Sequence, residues 1–136
     1  MGSFSDTPAL IAGGTILPYR FVVSSAAADD TGLQASNATA GVVGVSDGST
    51  NGPLSGNHAV SGQPITLQGG ADGTVLVEAG GNITRGSMVQ SDSDGKAVVA
   101  ATSPAGLYYQ GFIALQSAAS GTIIRVQRIA GFARYT

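Results

Sequence analysis

The amino-acid sequence predicts an all-β fold: a small β-sandwich or barrel of short antiparallel strands with an extended N-terminal arm. One short helix is compatible with this prediction. Three observations support this prediction. In the second half of the chain, short apolar runs separated by turn-forming segments recur about every 8–12 residues. Glycine is abundant, with 21 among 136 residues, roughly twice the usual ~7%. No amphipathic stretch of about 12 residues with helix caps occurs in the sequence.

The chain has the length of one compact domain. Residues 1–17 are predicted to form the N-terminal arm, because residues 1–8 are small and polar and end at Pro8. Residues 18–130 are predicted to form a single β-rich domain, and residues 131–136 a C-terminal tail.

The first half of the domain carries the weaker strand signals. Tyr19, Phe21 and Val23 recur at the period of a strand with one exposed face. Residues 26–40 have no sustained helical pattern and contain the turn sequence Asp-Thr-Gly, so they are predicted to form a loop, with a short helix as the alternative. GVVGVSD is a short apolar run flanked by glycine, and residues 48–64 after it are predicted to form a functional loop or crossover.

Six runs of strand length follow this loop: ITLQ, TVLVEA, SMVQS, KAVVA, YYQGFIALQ and TIIRVQR. The stretch around YYQGF is predicted to be strand rather than helix, because Gly106 and Gly111 would each cost about 1 kcal/mol inside a helix. Between SMVQS and KAVVA, the pair Asp94-Gly95 is predicted to form the tip of a tight hairpin.

The segment DSDG at residues 92–95 also resembles the start of a calcium-binding loop. An EF-hand loop has glycine at position six and a bidentate glutamate at position twelve. Counted from the first aspartate, glycine here stands at position four and Ser103 at position twelve, which excludes the EF-hand motif. A weak surface calcium site stays open as the alternative to a simple turn.

Composition excludes several classes of function. The net charge is −2 at pH 7 and the pI is about 4.9, which argues against the broad basic surface that nucleic-acid binding requires. No stretch reaches the ~18 apolar residues of a membrane span. We therefore expect neither nucleic acid nor membrane as a partner. The chain has no cysteine, which leaves subunit association as the remaining way to bury more surface.

The charges are unevenly placed along the chain. All eight acidic residues lie at or before Asp94, whereas residues 97–136 contain no acid and three arginines: Arg125, Arg128 and Arg134. These arginines are either solvated side chains or a basic patch that faces an acidic neighbour.

No enzyme motif is complete. Residues 44–48 match the G-x-S-x-G pattern of a nucleophile elbow, which requires a following helix and a histidine much later in the chain. The sole histidine, His58, lies in the next loop and is predicted to be a surface residue rather than a catalytic base. Phosphate-binding glycine motifs are absent as well. We expect no enzymatic activity, no catalytic residue, no metal site and no cofactor.

The order of sequence phrases from residue 41 to residue 128 resembles a family of tailed-phage head proteins. The matching phrases are VVGVSD, GQPITLQGGADGTVLVEAGGNITRGSMVQSDSDGKAVVA and GFIALQSAASGTIIRVQRI. In this order they are similar to the capsid decoration, or cement, proteins. Some members of that family carry the label of a RecA/RadA-type recombinase, which this sequence contradicts because it lacks a phosphate loop and a basic surface.

The resemblance implies a homotrimer that is made in the host cytoplasm and binds the outer surface of the capsid in the virion. There it would stabilise contacts between subunits of the major capsid protein in an expanded head, because the modest contacts of a trimer add as avidity. The N-terminal arm is the predicted capsid contact through Phe4, Leu10 and Ile11, while its extended backbone adds to an exposed sheet edge.

A second set of contact residues is predicted near the end of the chain. Arg125, Arg128, Phe132, Arg134 and Tyr135 are assigned to contacts with a neighbouring subunit or with the capsid, since aromatic side chains beside arginine suit such contacts. An alternative function of another class is a receptor- or glycan-binding module of a head fibre or tail spike. That alternative predicts exposed aromatic side chains in a shallow groove.

Overall fold

The computed structural model describes residues 10–50, 56–69, 72–101, 105–129 and 132–135. Within these ranges the chain forms twelve strands and no helix, so the predicted all-β fold is confirmed. The strands are β1 (Leu10–Ala12), β2 (Phe21–Ser24), β3 (Thr31–Gln34), β4 (Val42–Val45), β5 (Pro64–Ile65), β6 (Thr74–Glu78), β7 (Met88–Ser91), β8 (Ala97–Val99), β9 (Gly106–Tyr109), β10 (Phe112–Ala114), β11 (Ile123–Arg128) and β12 (Phe132–Tyr135).

The first sheet has the strand order β4-β2-β3-β1-β5. Its neighbouring strands are antiparallel, except that β1 and β3 run parallel. The chain that leaves β5 returns to β4, where Leu67 forms an antiparallel bridge with Ser46 and the N–H of Gln68 donates to the carbonyl of Val45. The two edges of the sheet therefore meet, and the sheet closes into a small barrel.

The second sheet is antiparallel throughout and has the strand order β6-β11-β10-β7-β8. A parallel bridge joins Ala79, directly after β6, to Ala97 of β8. The N–H of Gly80 also donates to the carbonyl of Ala97 at 2.8 Å. Both alanines are fully buried, and their small side chains allow the two edges of this sheet to touch.

Two apolar clusters form the core. The smaller cluster lies inside the first sheet and contains Ala12, Ile16, Val22, Ala59 and Ile65. The larger cluster joins the opposite face of the first sheet to the inner face of the second. At its centre the rings of Phe21 and Phe112 pack with their centroids 5.2 Å apart, a distance typical of favourable aromatic pairs.

Strands β9 and β12 form a separate two-stranded antiparallel ribbon, in which Phe132 pairs with Tyr109 and Arg134 with Leu107. The N–H of Tyr109 donates to the carbonyl of Ala38, which ties the ribbon to the turn after β3. Most of the segment predicted to be a C-terminal tail is therefore a paired strand. The run YYQGFIALQ is strand as predicted, but it divides between β9 and β10.

The boundary of the N-terminal arm differs from the sequence-based prediction. Residues 1–9 lie outside the described residues, but residues 10–17 belong to the first sheet and its core. Strand β1 lies between β3 and β5, and Ile16 is fully buried in a bridge with Ala59. The apolar sequence of this segment is what the small barrel buries, so the folded unit includes it.

Strand β3 falls within residues 26–40, for which the sequence predicts a loop. Its four residues include Gly32 and carry no clear alternation of apolar and polar side chains. The strand forms because β1 and β2 pair with it on either side, and such non-local pairing outweighs local propensity.

The turn between β7 and β8 is a hairpin, as predicted. The carboxylate of Asp92 accepts hydrogen bonds from the N–H groups of Asp94 at 2.8 Å and Lys96 at 2.9 Å. Only Gly95, with φ of 75°, has a left-handed backbone here. Ser93 and Asp94 form the central pair of the turn and Gly95 follows in the left-handed region, so the tip lies one residue before the predicted Asp94-Gly95 pair.

Candidate interaction surfaces

Arg20 joins the second sheet to the first through the hairpin turn. The residue is 8% exposed, and its Nη1 donates to the carbonyl of Asp94 at 2.9 Å. Its Nη2 lies 3.4 Å from one carboxylate oxygen of Glu78, whose other oxygen lies 3.3 Å from Nζ of Lys96. The amide of Gln34 donates to the same Asp94 carbonyl at 3.0 Å. The charge-assisted bonds of Arg20 and the amide bond of Gln34 fix the two sheets to each other.

Gly95 lets the hairpin turn pack tightly on the first sheet. The N–H of Phe21 donates to the carbonyl of Gly95 at 2.9 Å. A Cβ atom at residue 95 would lie 2.9 Å from Cγ of Gln34 and 3.2 Å from the carbonyl oxygen of Ala35. The turn that resembles the start of a calcium loop is thus largely a contact within the protein. Among the described residues, no group of three or more histidine or carboxylate side chains is arranged to hold a metal ion.

The serine of the G-x-S-x-G match, Ser46, is fully buried. Its hydroxyl donates to the carbonyl of Leu17 at 2.8 Å and accepts the N–H of Arg20 at 3.0 Å. Because the hydroxyl is enclosed and bonded to backbone groups, it holds the segment before β2 against the end of β4. A substrate has no direct access to it.

His58 is fully buried, so the prediction of a surface histidine is wrong. Its Nε2 accepts the N–H of Thr66 at 2.9 Å, which assigns the ring proton to Nδ1. That nitrogen lies 2.9 Å from the carbonyl oxygen of Ser49 and 3.3 Å from the carboxylate of Asp47. The imidazole thus links the backbone of residue 49 to that of residue 66 through partly buried hydrogen bonds.

The predicted capsid-contact residues have different environments. Phe4 lies outside the described residues. Leu10 is half-buried and packs against the smaller core cluster, whereas Ile11 is 39% exposed. Successive side chains of a strand point to opposite faces, so on β1 only Ile11 is presented for contact with another molecule.

Ile11 belongs to an exposed apolar group on three adjacent strands, which we call the outer patch: Ile11, Leu33 and Pro64. Ile11 lies beside Pro64 on one side and beside Thr31 on the other. Leu33 stands two residues after Thr31 on β3, hence on the same face, and is 36% exposed. The sequence does not indicate Leu33, because it predicts a loop for that segment.

Arg128 binds within the chain. Its guanidinium carbon lies 5.1 Å from the ring centroid of Phe112, and its Nη2 donates to the carbonyl of Val43 at 3.2 Å. The side chain therefore covers the edge of β4 and stabilises the packing of β11 on the first sheet. Arg125, by contrast, is exposed on the outer face of β11.

The pKa of Asp72 is lowered by nearby hydrogen-bond donors. Hydrogen bonds from the backbone and side chain of Thr74 hold the pKa of Asp72 below its ordinary value, with a smaller contribution from Arg125.

The ribbon presents a mixed apolar and basic surface. Leu107 is 39% exposed and lies directly beside the exposed Arg134 in the antiparallel register. Paired residues of two strands share a face, so the two side chains point the same way. Phe132 and Tyr135 lie on the same strand as Arg134. This juxtaposition could not be found from the sequence, because it depends on a pairing across more than twenty residues.

No protein-family model matches the chain, and no curated protein sequence matches it. Among solved structures, the fold is similar to that of the head fiber gp8.5 N base in bacteriophage phi29. The TM-score is 0.51 at 18% sequence identity, and the match covers 88% of this chain and 90% of that chain. At this identity the likeness concerns the fold, and membership of the decoration-protein family stays a prediction. Among the described residues, no helix is long and apolar enough to cross a membrane.

Proposed function

We propose that this protein is a structural component of a tailed-phage head. The observation that carries the proposal is the likeness of nearly the whole fold to the base of a phage head fiber. The sequence phrases that resemble decoration proteins support the same kind of role, and they do not depend on the likeness of the fold.

In its finer form, the proposal is a decoration or cement protein. A homotrimer binds the outer surface of an expanded head and stabilises contacts between major capsid protein subunits. Because each trimer engages several capsid subunits, weak contacts add as avidity, and each bound copy stabilises the assembled shell by mass action. The role requires no catalysis, cofactor, nucleic acid or membrane.

We assign the contact with the shell to the outer patch. Ile11 and Leu33 are exposed apolar side chains on neighbouring strands, and apolar groups of this kind mark interaction sites when they are contiguous. Ile11 is also a capsid contact in the sequence-based prediction. Arg125 lies elsewhere, on the outer face of the second sheet. We keep its assignment to a contact with the capsid or with a neighbouring subunit.

Co-sedimentation with expanded heads that lack the protein tests the proposal. We expect the wild-type chain to saturate the heads, and Ile11→Glu and Leu33→Glu each to lower occupancy at least tenfold at limiting concentration, an effect of about 1.4 kcal/mol per bound unit. Val99→Glu is the matched control, because Val99 is 44% exposed on the other sheet. If the wild-type chain stays in the supernatant, the head-binding role is refuted.

A second candidate is a receptor- or glycan-binding module of a head fibre or tail spike. The observation in its favour is the same structural neighbour, which is part of a head fiber. This role predicts binding to host cells or polysaccharide and none to bare heads. Parallel pull-downs with heads and with host cells separate the two functions.

A further inference from the structure

The described sheet edges are closed or covered, with the exception of the ribbon. The first sheet closes through the bridge of Ser46 with Leu67, and Arg128 covers the carbonyl of Val43 on β4. The second closes through its alanine bridge. Proteins block sheet edges in such ways because an open edge accepts another strand.

The alanine bridge lies beyond the end of β6. Within β6 itself, the side chain of Gln68 blocks the edge that faces away from β11. Its Oε1 accepts the N–H of Leu76 at 2.8 Å, and its Nε2 donates to the carbonyl of the same residue. One amide group thereby replaces the two hydrogen bonds that a neighbouring strand would make.

The edge of β12 is different. One side of β12 pairs with β9, and within the described ranges no strand pairs with its other side. A two-stranded ribbon is marginally stable by itself, so a third strand would stabilise it. The free edge belongs to a strand whose exposed face carries Arg134 beside Leu107.

The symmetry of the proposed trimer limits what can occupy this edge. Two copies of β12 that pair with each other make a two-fold contact, which closes a dimer rather than a trimer. A threefold ring needs a heterologous contact, in which β12 accepts a different segment of the neighbouring copy. This step rests on the proposed function, because the trimer is part of it.

Residues 1–9 are the longest segment outside the described residues, and they lead directly into β1. Extended, nine residues span up to about 30 Å. Asp6 is the only charged side chain in the segment, and residues 97–136 contain no acid. Phe4 and Asp6 are two residues apart, so on an extended strand they would share a face.

We propose that residues 3–7 of one copy add as a strand to the β12 edge of a neighbouring copy. Asp6 then faces Arg134, and Phe4 lies on the same side as Leu107. Opposite charges on adjacent strands are favourable, and backbone hydrogen bonds supply the rest of the affinity. Each subunit gives one arm and receives one, which closes a ring of three.

Charge reversal tests this exchange with the purified full-length chain. Molar mass is measured by light scattering during size-exclusion chromatography, over a range of protein concentrations. We expect Asp6→Arg and Arg134→Asp each to weaken the trimer association constant roughly 100-fold, since three contacts change at once. The double variant restores the constant to within about tenfold of wild type. Asp29→Arg and Arg85→Asp, at other exposed positions, serve as controls and leave the trimer unchanged.

The inference is overturned if the double variant is no better than the single variants, or if the single variants trimerise like wild type. It is also overturned if the wild-type chain is a monomer or a dimer. Far-ultraviolet circular dichroism and the unfolding midpoint show whether each variant is folded. Head co-sedimentation is measured separately. A wild-type chain that binds heads while these variants fail to affect the trimer leaves the proposed function standing without the arm exchange.

Discussion

The guanidinium of Arg20 donates to the backbone carbonyl of Asp94 at 2.9 Å, across 74 positions of sequence. This bond connects the start of β2 to the turn of the β7–β8 hairpin. A nearly buried arginine is costly unless its donors are used. Here one donor binds a turn carbonyl and another binds the carboxylate of Glu78, so the turn acts as a structural latch between the two sheets.

We expect Gly95→Ala to lower the free energy of unfolding by about 2–5 kcal/mol. The substitution places a side chain in a left-handed conformation and against the Ala35 carbonyl, which cannot move freely. Gly62→Ala is the control, because Gly62 has φ of 89° and no atom lies within 4 Å of the position that its Cβ would take. It should cost only about 1–2 kcal/mol. Urea denaturation measures both; equal losses would show that the hairpin turn is not tightly packed.

Arg20→Met and Lys96→Met compare two cations at similar distances from Glu78. We expect Arg20→Met to lose about 2–3 kcal/mol, because the buried guanidinium also binds the Asp94 carbonyl. Lys96 is more exposed and should contribute under about 1 kcal/mol. Chemical denaturation of both variants at two salt concentrations measures these losses. We expect added salt to reduce the loss for Lys96→Met more than the loss for Arg20→Met. A loss for Lys96→Met as large as that for Arg20→Met contradicts the latch.

Replacing His58 tests its role as a structural clasp. His58→Leu leaves the Thr66 N–H and the Ser49 carbonyl without their partner, so we expect a loss of about 2–4 kcal/mol. His58→Gln should lose less, since its amide oxygen can accept the Thr66 N–H. Thermal unfolding ranks the three proteins. A leucine variant as stable as the wild type would show that the hydrogen bonds of His58 do not stabilise the fold.

Gln68→Leu should open the edge of β6. The variant loses the two bonds to Leu76, about 1–2 kcal/mol, and exposes unpaired backbone groups that promote association. Light scattering during slow heating should show earlier aggregation than in the wild type. Gln63→Leu is the comparison, because the side-chain oxygen of Gln63 accepts a local turn N–H, that of Val60, and not one from a strand edge. Similar aggregation of the two variants contradicts the edge-blocking role.

The carboxylate of Asp72 predicts a small pH effect on stability. Its pKa is lower in the folded chain than in the unfolded chain because Thr74 donates to the ionised form. The carboxylate therefore stabilises the fold above its unfolded pKa, and this contribution disappears as the pH falls through the folded value. The difference in unfolding midpoint between wild type and Asp72→Asn should shrink between pH 6 and pH 2, as measured at about 0.15 M salt. A difference that stays constant with pH refutes the assignment.

The sequence predicts the second sheet better than the first. Strands β6, β7, β8, β10 and β11 fall in short, mostly apolar runs bounded by turn-forming segments, a local signal that needs no knowledge of the fold. The first sheet depends on non-local contacts. Strand β3 is ordered by its two neighbours, and His58 is buried where its backbone N–H donates to the carbonyl of Ile16.

The candidate contacts divide in the same way. The apolar sequence of the arm is enough to predict Ile11 as a contact residue. Leu33 can be assigned to the outer patch only once the pairing of β1 with β3 is known. Arg128 is a contact between molecules in the sequence-based prediction, yet within the subunit its guanidinium lies over Phe112. Sequence pattern alone cannot separate an arginine that binds a partner from one that packs on its own chain.

The closure of the small barrel has a consequence for biosynthesis. Its last bridge needs Leu67, and Nη1 of Arg20 has no carbonyl of Asp94 to bind until residue 94 has been synthesised. At a translation rate of roughly 5–20 residues per second, 74 residues take about 4–15 s. During that interval the nascent N-terminal half exposes apolar surface on the ribosome. Chaperones that bind emerging chains are therefore expected to determine the yield of this protein.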